Sequence, residues 1–463
     1  MERLLIRNAR ILDPASGTDF VGDLLVEGGR IAWLGPARRR RTYPEGAQVL
    51  EAKGWVACPG FVDLHTHLRE PGQEHKETLE TGLASAVRGG FTAVCAMPNT
   101  DPPLDHAGVV VQVQEQARRV GLARLLPVGC VTRGRRGESL ADLRELAEAG
   151  CVAFSDDGDP VATADLLRTA LLYTRDLGRP LMDHASAPGR QATGVHEGWV
   201  SARMGLRGQP ASLDDALVAR DLAVLREVGG RLHLCHLTTR GSVALLRQAR
   251  EEGLPVSAEA TPHHLVLTDA WLMGPPPGGD LRGHDPFAPL TPLAYDPRAR
   301  VNPPLRSEEH RRALVQALRE GVIDAIATDH APHAPEDKMG TVEESALGLS
   351  GLETAFALLM ALVEWGELDL PTLIARLTAG PASVLGREDL GRLREGGPAD
   401  LVLLDPAEAW TVDPARFASK GRNTPLEGLT LRGRVKATLV EGRPVFLDAG
   451  VRLNPTPAPE ARP

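Results

Sequence analysis

Residues 61–72 read Phe61-Val62-Asp63-Leu64-His65-Thr66-His67-Leu68-Arg69-Glu70-Pro71-Gly72. An apolar run ends in two histidines spaced two residues apart. Alternate residues of a strand face the same side, so His65 and His67 can aim at one point. Two imidazoles aimed at one point suit a metal ion. Pro71-Gly72 then breaks the strand and opens a loop. Arg69 continues the histidine face or lies just past it. A guanidinium beside a cationic centre suits a carboxylate-bearing substrate, which it grips through two parallel hydrogen bonds. Two hydrogen-bonded histidines at a strand end are the plainer alternative, and the rest of the chain decides between them.

Working outward, apolar strands alternate with amphipathic helices from residue 60 onward. The pattern predicts strands at 61–67, 91–97, 124–130, 150–155, 180–184, 231–236, 255–260 and 322–328. It predicts helices at 76–88, 106–119, 138–149, 163–177, 213–228, 240–252, 307–320 and 353–365. Near-continuous apolar strands fit a parallel sheet covered on both faces, and eight strand–helix units predict a (β/α)8 barrel over residues 58–384. Residues 1–57 and 385–450 read as short strands between turn signals such as Gly28-Gly29 and Glu441-Gly442. They are expected to pair into one small β-sandwich domain beside the barrel. Residues 273–300 are rich in Pro and Gly without a period and are read as an inserted loop. The arginine run Arg38–Arg41 reads as a solvated loop, and residues 454–463 as a disordered tail.

The 463 residues carry a formal net charge of −9, which argues against nucleic acid or an anionic membrane as partner. No apolar run has the length of a membrane span, and Met1–Ile6 lacks the apolar core of a signal peptide. The five cysteines, Cys58, Cys95, Cys130, Cys151 and Cys235, form no Cys-x-x-Cys pair and sit in apolar runs. They read as reduced core thiols, which fits a cytoplasmic protein.

Barrel enzymes place their chemistry at the C-terminal ends of the strands, and polar residues recur at those ends. His65 and His67 close the first strand, and Asn99 follows the second. Asp156-Asp157-Gly158 follows the fourth, His184 ends the fifth and His236 the sixth, and Asp329 ends the eighth. Four histidines and two carboxylates exceed one tetrahedral zinc with an open position. They suit two divalent ions that share a carboxylate and acidify a water to near-neutral pKa. A carboxylate nearby can take its proton and pass it to a leaving nitrogen, which points to hydrolysis, or its reverse, at an amide-like carbonyl.

This order of residues resembles the amidohydrolase superfamily. Within it, His65–Gly72 resembles the signature of the dihydroorotase family, and Ala327-Thr328-Asp329-His330-Ala331-Pro332-His333 followed by Lys338 resembles that family's second signature. Asn302–Arg306 (NPPLR) and Gly351–Phe356 (GLETAF) are similar to it as well. The resemblance spans about residues 1–447. It implies reversible, zinc-dependent cyclisation of N-carbamoyl-L-aspartate to L-dihydroorotate in pyrimidine (UMP) biosynthesis, with two Zn2+ per subunit. On that analogy His65, His67 and Asp329 hold one zinc, His184 and His236 hold the second, Asp157 bridges them, and Asp329 is the catalytic acid/base. Arg69 and Asn99 hold the substrate carboxylate, with His67 also on the substrate side. Asn302 and His333 hold its other polar edge, and Leu347 and Gly348 offer backbone contacts.

Many superfamily relatives bridge their metals with a carboxylated lysine on the fourth strand. Here no lysine lies between Lys76 and Lys338, so an aspartate must serve. Asp157 is preferred to Asp156, although the local sequence does not choose between them. Three features depart from the family pattern. Ala185-Ser186-Ala187-Pro188 follows His184 where an acid is usual, Leu347 replaces a phenylalanine, and the 273–300 insertion precedes Asn302. Another cyclic-amide hydrolase, hydantoinase- or allantoinase-like, is the first alternative. A catalytically inactive dihydroorotase-like subunit supporting an aspartate carbamoyltransferase is the second. An active enzyme can also associate with that carbamoyltransferase, and a homo-oligomer is expected. Of the remaining histidines, His75, His106, His284 and His310 read as loop or helix-start residues. His233 is expected to face away from His236, and His263-His264 to lie beside the site. His196 reads as a loop-ordering residue.

Overall fold

The computed structural model describes residues 3–36, 46–188, 192–282 and 285–455. The Arg38–Arg41 run, His284 and residues 456–463 of the expected tail lie outside the described residues.

Two sheets organise the chain. The first is assembled from both ends of the sequence: β1 (Arg3–Asp13), β2 (Thr18–Glu27), β3 (Arg30–Pro36), β4 (Gln48–Glu51) and β5 (Val56–Pro59). The second is the barrel: β6 (Phe61–Thr66), β7 (Phe91–Ala96), β8 (Arg124–Gly129), β9 (Ala153–Phe154), β10 (Leu181–Asp183), β11 (Leu232–Leu234), β12 (Val256–Ala260) and β13 (Ala325–Ile326). Its strands pair in sequence order and in parallel. The ring closes where Thr66 pairs with His330. Beneath that bridge the Asp63 carboxylate accepts hydrogen bonds from Thr328 N at 3.0 Å and Thr328 Oγ1 at 2.6 Å.

Every residue of β6 and β7 is buried, as expected of strands covered on both faces. The helices start where a side chain can cap the exposed amides. Thr78, Thr163 and Thr239 accept from Thr81 N, Leu166 N and Ser242 N at three of those starts. Val62, Leu64, Cys95, Val128 and Met182 form an apolar barrel interior with Val384 and Leu385. The last two belong to the helix Ala379–Leu385, which packs against β6 and β13 and closes the N-terminal end. The opposite rim is left for polar residues.

After the barrel, β14 (Leu401–Thr411), β15 (Thr430–Val440) and β16 (Arg443–Leu447) return to the first sheet, in the order β16-β15-β14-β5-β1-β2-β3 with β4 also on β1. Only Gly60 separates β5 from β6. A Cβ there would lie 2.2 Å from both Cγ2 and Oγ1 of Thr92, so the close approach of the two sheets requires glycine. Asn454 and Pro455, expected in the disordered tail, instead form β17 and pair antiparallel with β4. The 273–300 segment folds back on the barrel rim through short turns. Thr291 N donates to Met273 O at 3.1 Å, Tyr295 N to Leu272 O at 2.8 Å, and Tyr295 Oη to Met204 O at 3.0 Å. Among the described residues no helix is long and apolar enough to cross a membrane.

Candidate metal centre

The barrel topology brings the six residues expected as ligands onto one rim. Asp157 Oδ1 lies 3.1 Å from His65 Nε2, 3.3 Å from His184 Nδ1 and 3.7 Å from His236 Nε2. Its Oδ2 lies 3.5 Å from His67 Nε2. Asp329 Oδ1 lies 3.0 Å from His67 Nε2 and 3.7 Å from His65 Nε2. The His184 and His236 rings pack edge to face at 4.6 Å, and His65 and His236 lie 5.0 Å apart. Among the described residues three overlapping ligand sets result, His65–Asp157–His236, His65–His67–Asp329 and His65–Cys235–Glu259, and His184 belongs to none of them.

All six side chains are buried. His65 Nε2, Asp157 Oδ1 and His184 Nδ1 nevertheless have no hydrogen-bond partner. Buried polar atoms are rarely left so, and three such atoms around one point fit metal ligation. Electrostatics agree. Burial would raise Asp157, yet His65, His184 and His236 hold it far below the usual carboxylate range. Burial opposes ionisation of Asp329 too, and His67 and His65 hold it low. Two ionised carboxylates among buried histidines can accept a cation.

Asp156 does different work. Its Oδ1 accepts from Val131 N and Thr132 N, both at 3.0 Å, and its Oδ2 accepts from Thr132 Oγ1 at 2.5 Å. That carboxylate ties down the loop after β8, while Asp157 faces the histidines.

Three rim residues adopt the left-handed backbone region unusual for side-chain-bearing residues: Arg69 (φ 65°), His236 (φ 31°) and Asp329 (φ 47°). Such strain concentrates at functional sites. It also corrects the expectation for His233. Strict alternation would put His233 and His236 on opposite faces, but the turn at His236 brings it back inward. His233 also faces the interior, with Nδ1 2.9 Å from Ser257 Oγ and Nε2 3.0 Å from Glu259 Oε2.

Glu259 is the residue the sequence reading missed. Fully buried on β12, it places Oε1 3.0 Å from His65 Nδ1. A carboxylate on the far nitrogen fixes the tautomer and aim of a metal-binding histidine. Its one sequence signal is an acid inside an otherwise small and apolar strand, Pro255–Ala260.

Of the residues expected on the substrate side, Arg69 is buried, and its Nε donates to Pro332 O at 3.2 Å. Burial lowers its pKa to about 10, which leaves it charged at neutral pH. Asn99 Oδ1 lies 2.9 Å from His67 Nδ1, so it also orients that ring. Asn302 Nδ2 lies 3.2 Å from His184 Nε2. Leu347 O is engaged by His333 Nε2 at 2.8 Å, and Gly348 N donates to Arg300 O at 3.1 Å, so both backbone groups already have partners within the chain. In the loop after His184 the buried Asp214 Oδ1 accepts from Ser186 Oγ at 2.9 Å and Ala187 N at 3.2 Å. His264 Nε2 lies 2.9 Å from Pro303 O, while the buried His263 Nε2 has no partner.

The model of the amidohydrolase family matches residues 56–445. A dihydroorotase of Anaeromyxobacter dehalogenans is 46% identical over 95% of this chain and 97% of its own length. One of Pelotomaculum thermopropionicum is 42% identical over 97% of this chain and 100% of its own. The chain belongs to the dihydroorotase family. Among solved structures, L-hydantoinase from Arthrobacter aurescens superposes with a TM-score of 0.81 at 24% identity, covering 98% of both chains. D-hydantoinase from Thermus sp. gives 0.76 at 22% identity, covering 98% of this chain and 97% of its own. At that identity the hydantoinases speak for the fold alone. Membership in the dihydroorotase family makes the chain a cyclic amidohydrolase of a metal-dependent superfamily. This dihydroorotase-family chain has Asp157, with no lysine nearby, after β9.

Proposed function

We propose that the protein is a dihydroorotase that interconverts L-dihydroorotate and N-carbamoyl-L-aspartate, in cytoplasmic pyrimidine biosynthesis, with zinc as its metal. The observation that carries this reading is the set of buried, unpartnered ligand atoms around Asp157, with the Arg69 guanidinium on the same rim. His65, His67 and Asp329 would hold one ion and His184 and His236 a second, with Asp157 shared. When bound, the ions supply a Lewis acid and a water acidic enough to act near neutral pH.

The chain's own groups do the rest. Arg69 pairs with the substrate carboxylate and sets which face of the ring meets the rim. Asn302 and His333 receive the remaining polar edge. In hydrolysis the water oxygen bonds to the ring carbonyl carbon, and its proton passes to a carboxylate oxygen of Asp329. The carbon–nitrogen bond then breaks, and Asp329 returns the proton to the departing ring nitrogen. In cyclisation the same proton runs the other way. Glu259 keeps His65 aimed throughout, through its contact with Nδ1.

The test compares hydrolysis of dihydroorotate with that of dihydrouracil, which lacks the carboxylate. Turnover of dihydroorotate, with kcat/KM for dihydrouracil lower by at least a hundredfold, supports the reading. Equal turnover of both, or turnover of dihydrouracil alone, moves the protein to the hydantoinase-like class.

A further inference from the structure

The segment between β14 and β15 leaves the small sheet and crosses to the barrel rim. Within it Asn423 is buried, and its side chain uses its whole hydrogen-bonding capacity. Asn423 Oδ1 accepts from His333 N and from Ser350 Oγ, both at 2.9 Å. Nδ2 donates to Ala331 O at 3.1 Å and to Gly348 O at 3.0 Å. The backbone adds a fifth bond, from Ser350 N to Asn423 O at 3.0 Å. One amide therefore joins the loop that carries His333 to the loop that carries Leu347 and Gly348.

The approach of this segment leaves no room for adjustment. A Cβ at Gly421 would lie 2.4 Å from Pro332 Cβ and 2.7 Å from Ser350 Oγ. A Cβ at Gly348 would lie 2.5 Å from Ala331 Cβ, and the backbone there has φ +129°. The segment is also anchored just before Asn423. Lys420 N donates to Glu77 Oε1 at 3.0 Å, and Ser419 Oγ donates to Glu77 Oε2. Glu77 is fully buried just before the helix Leu79–Arg88, in the stretch that follows Arg69. Residues 419–423 thus join the loop after β6 to both loops after β13.

We propose that Asn423 is a positioning residue for substrate binding: from outside the barrel it holds the loop of His333 and the loop of Leu347 and Gly348 in place beside Arg69, whose Nη2 lies 3.4 Å from His333 Nε2. The proposal rests on the dihydroorotase reading, because it takes those residues to face the substrate. Asn423 touches none of the six residues expected to hold metal, so its loss acts on binding and spares the metal centre. A single buried amide with four partners holds two loops in one arrangement, whereas truncation leaves three backbone groups and one hydroxyl without their partner.

The experiment uses the full-length zinc-loaded protein and measures KM and kcat for dihydroorotate, bound zinc and the melting temperature. Asn423→Ala is expected to raise KM on the order of 10- to 100-fold, with kcat within about threefold of wild type and zinc content unchanged. Asn423→Asp keeps the volume and both acceptor positions but loses the donors to Ala331 and Gly348. It is expected to raise KM as well, and it carries the test if the alanine variant does not fold. An unchanged KM in a folded variant overturns the proposal, as does a loss of zinc and kcat at constant KM. Wild-type protein that does not turn over dihydroorotate removes the functional reading itself, and is recognised before any variant is compared.

Discussion

Glu259 occupies the position at which one side chain has most leverage over the centre. It is fully buried between His65 and His233, 3.0 Å from each. Replacing its charge with an amide, as in Glu259→Gln, leaves an acceptor but removes the field that makes His65 a stronger ligand. The variant is expected to bind zinc 10- to 100-fold more weakly, checked by competition with a chromogenic chelator. Arg69→Ala acts differently. Loss of a buried charge-assisted pair with a carboxylate corresponds to about 3 kcal/mol, or on the order of a hundredfold, in affinity. The rise belongs in KM for dihydroorotate, with zinc content unaltered. These two residues also show what a sequence can reveal at this scale. Arg69, His65 and His67 sit within five positions on one strand end, so spacing alone exposes them. Glu259 meets His65 across 194 positions of sequence, and only the closed ring of strands brings them together. The choice between Asp156 and Asp157 is equally invisible in the sequence, because it depends on which carboxylate the Val131 and Thr132 amides capture.

At the scale of elements, the strand and helix pattern was legible because apolar runs and amphipathic periods are local. The helices Ala164–Leu177, Arg240–Glu251 and Glu308–Glu320 fall within a residue of the ranges their periodicity predicts at either end. The strands were legible in place but not in length: β9 and β13 are two residues each, and beyond them only single bonds, such as Val152 N to Pro127 O at 2.9 Å and Ala327 N to Ala260 O at 3.2 Å, continue the contact with the neighbouring strand. What sequence does not show is how neighbouring loops are fastened. Arg306, after the insertion, places Nη2 2.5 Å from Asp214 Oδ2, and both residues are buried. Through Ser186 and Ala187 this ion pair joins the loop after His184 to the segment that carries Asn302. Removing one partner of a buried pair strands the other charge. Arg306→Leu is expected to lower the unfolding free energy by about 3 kcal/mol or more, measured by urea denaturation. The double change Arg306→Leu/Asp214→Leu should recover part of that loss, and equal destabilisation in both variants would contradict a net cost from the unpaired Asp214.

For the whole molecule, the ends of the chain meet in one sheet while the middle forms the barrel, so the candidate metal centre gathers its histidines and aspartates from the ends of five strands, over residues 65–329. No stretch shorter than the barrel can assemble it. Metal that binds only the folded chain stabilises it by mass action. At free zinc ~1,000 times its Kd the gain is about 4 kcal/mol. Chelation is therefore expected to lower the denaturant midpoint, and His65→Ala should remove most of that zinc dependence. The most direct measurement is a zinc titration of the metal-free protein, following bound zinc and dihydroorotate hydrolysis on the same sample. Two equivalents bound, with turnover absent at the start and restored as the sites fill, is the expected result. Full hydrolysis by metal-free protein, or two zincs bound by a variant lacking both His65 and Asp157, would contradict a hydrolytic centre built on these strand ends.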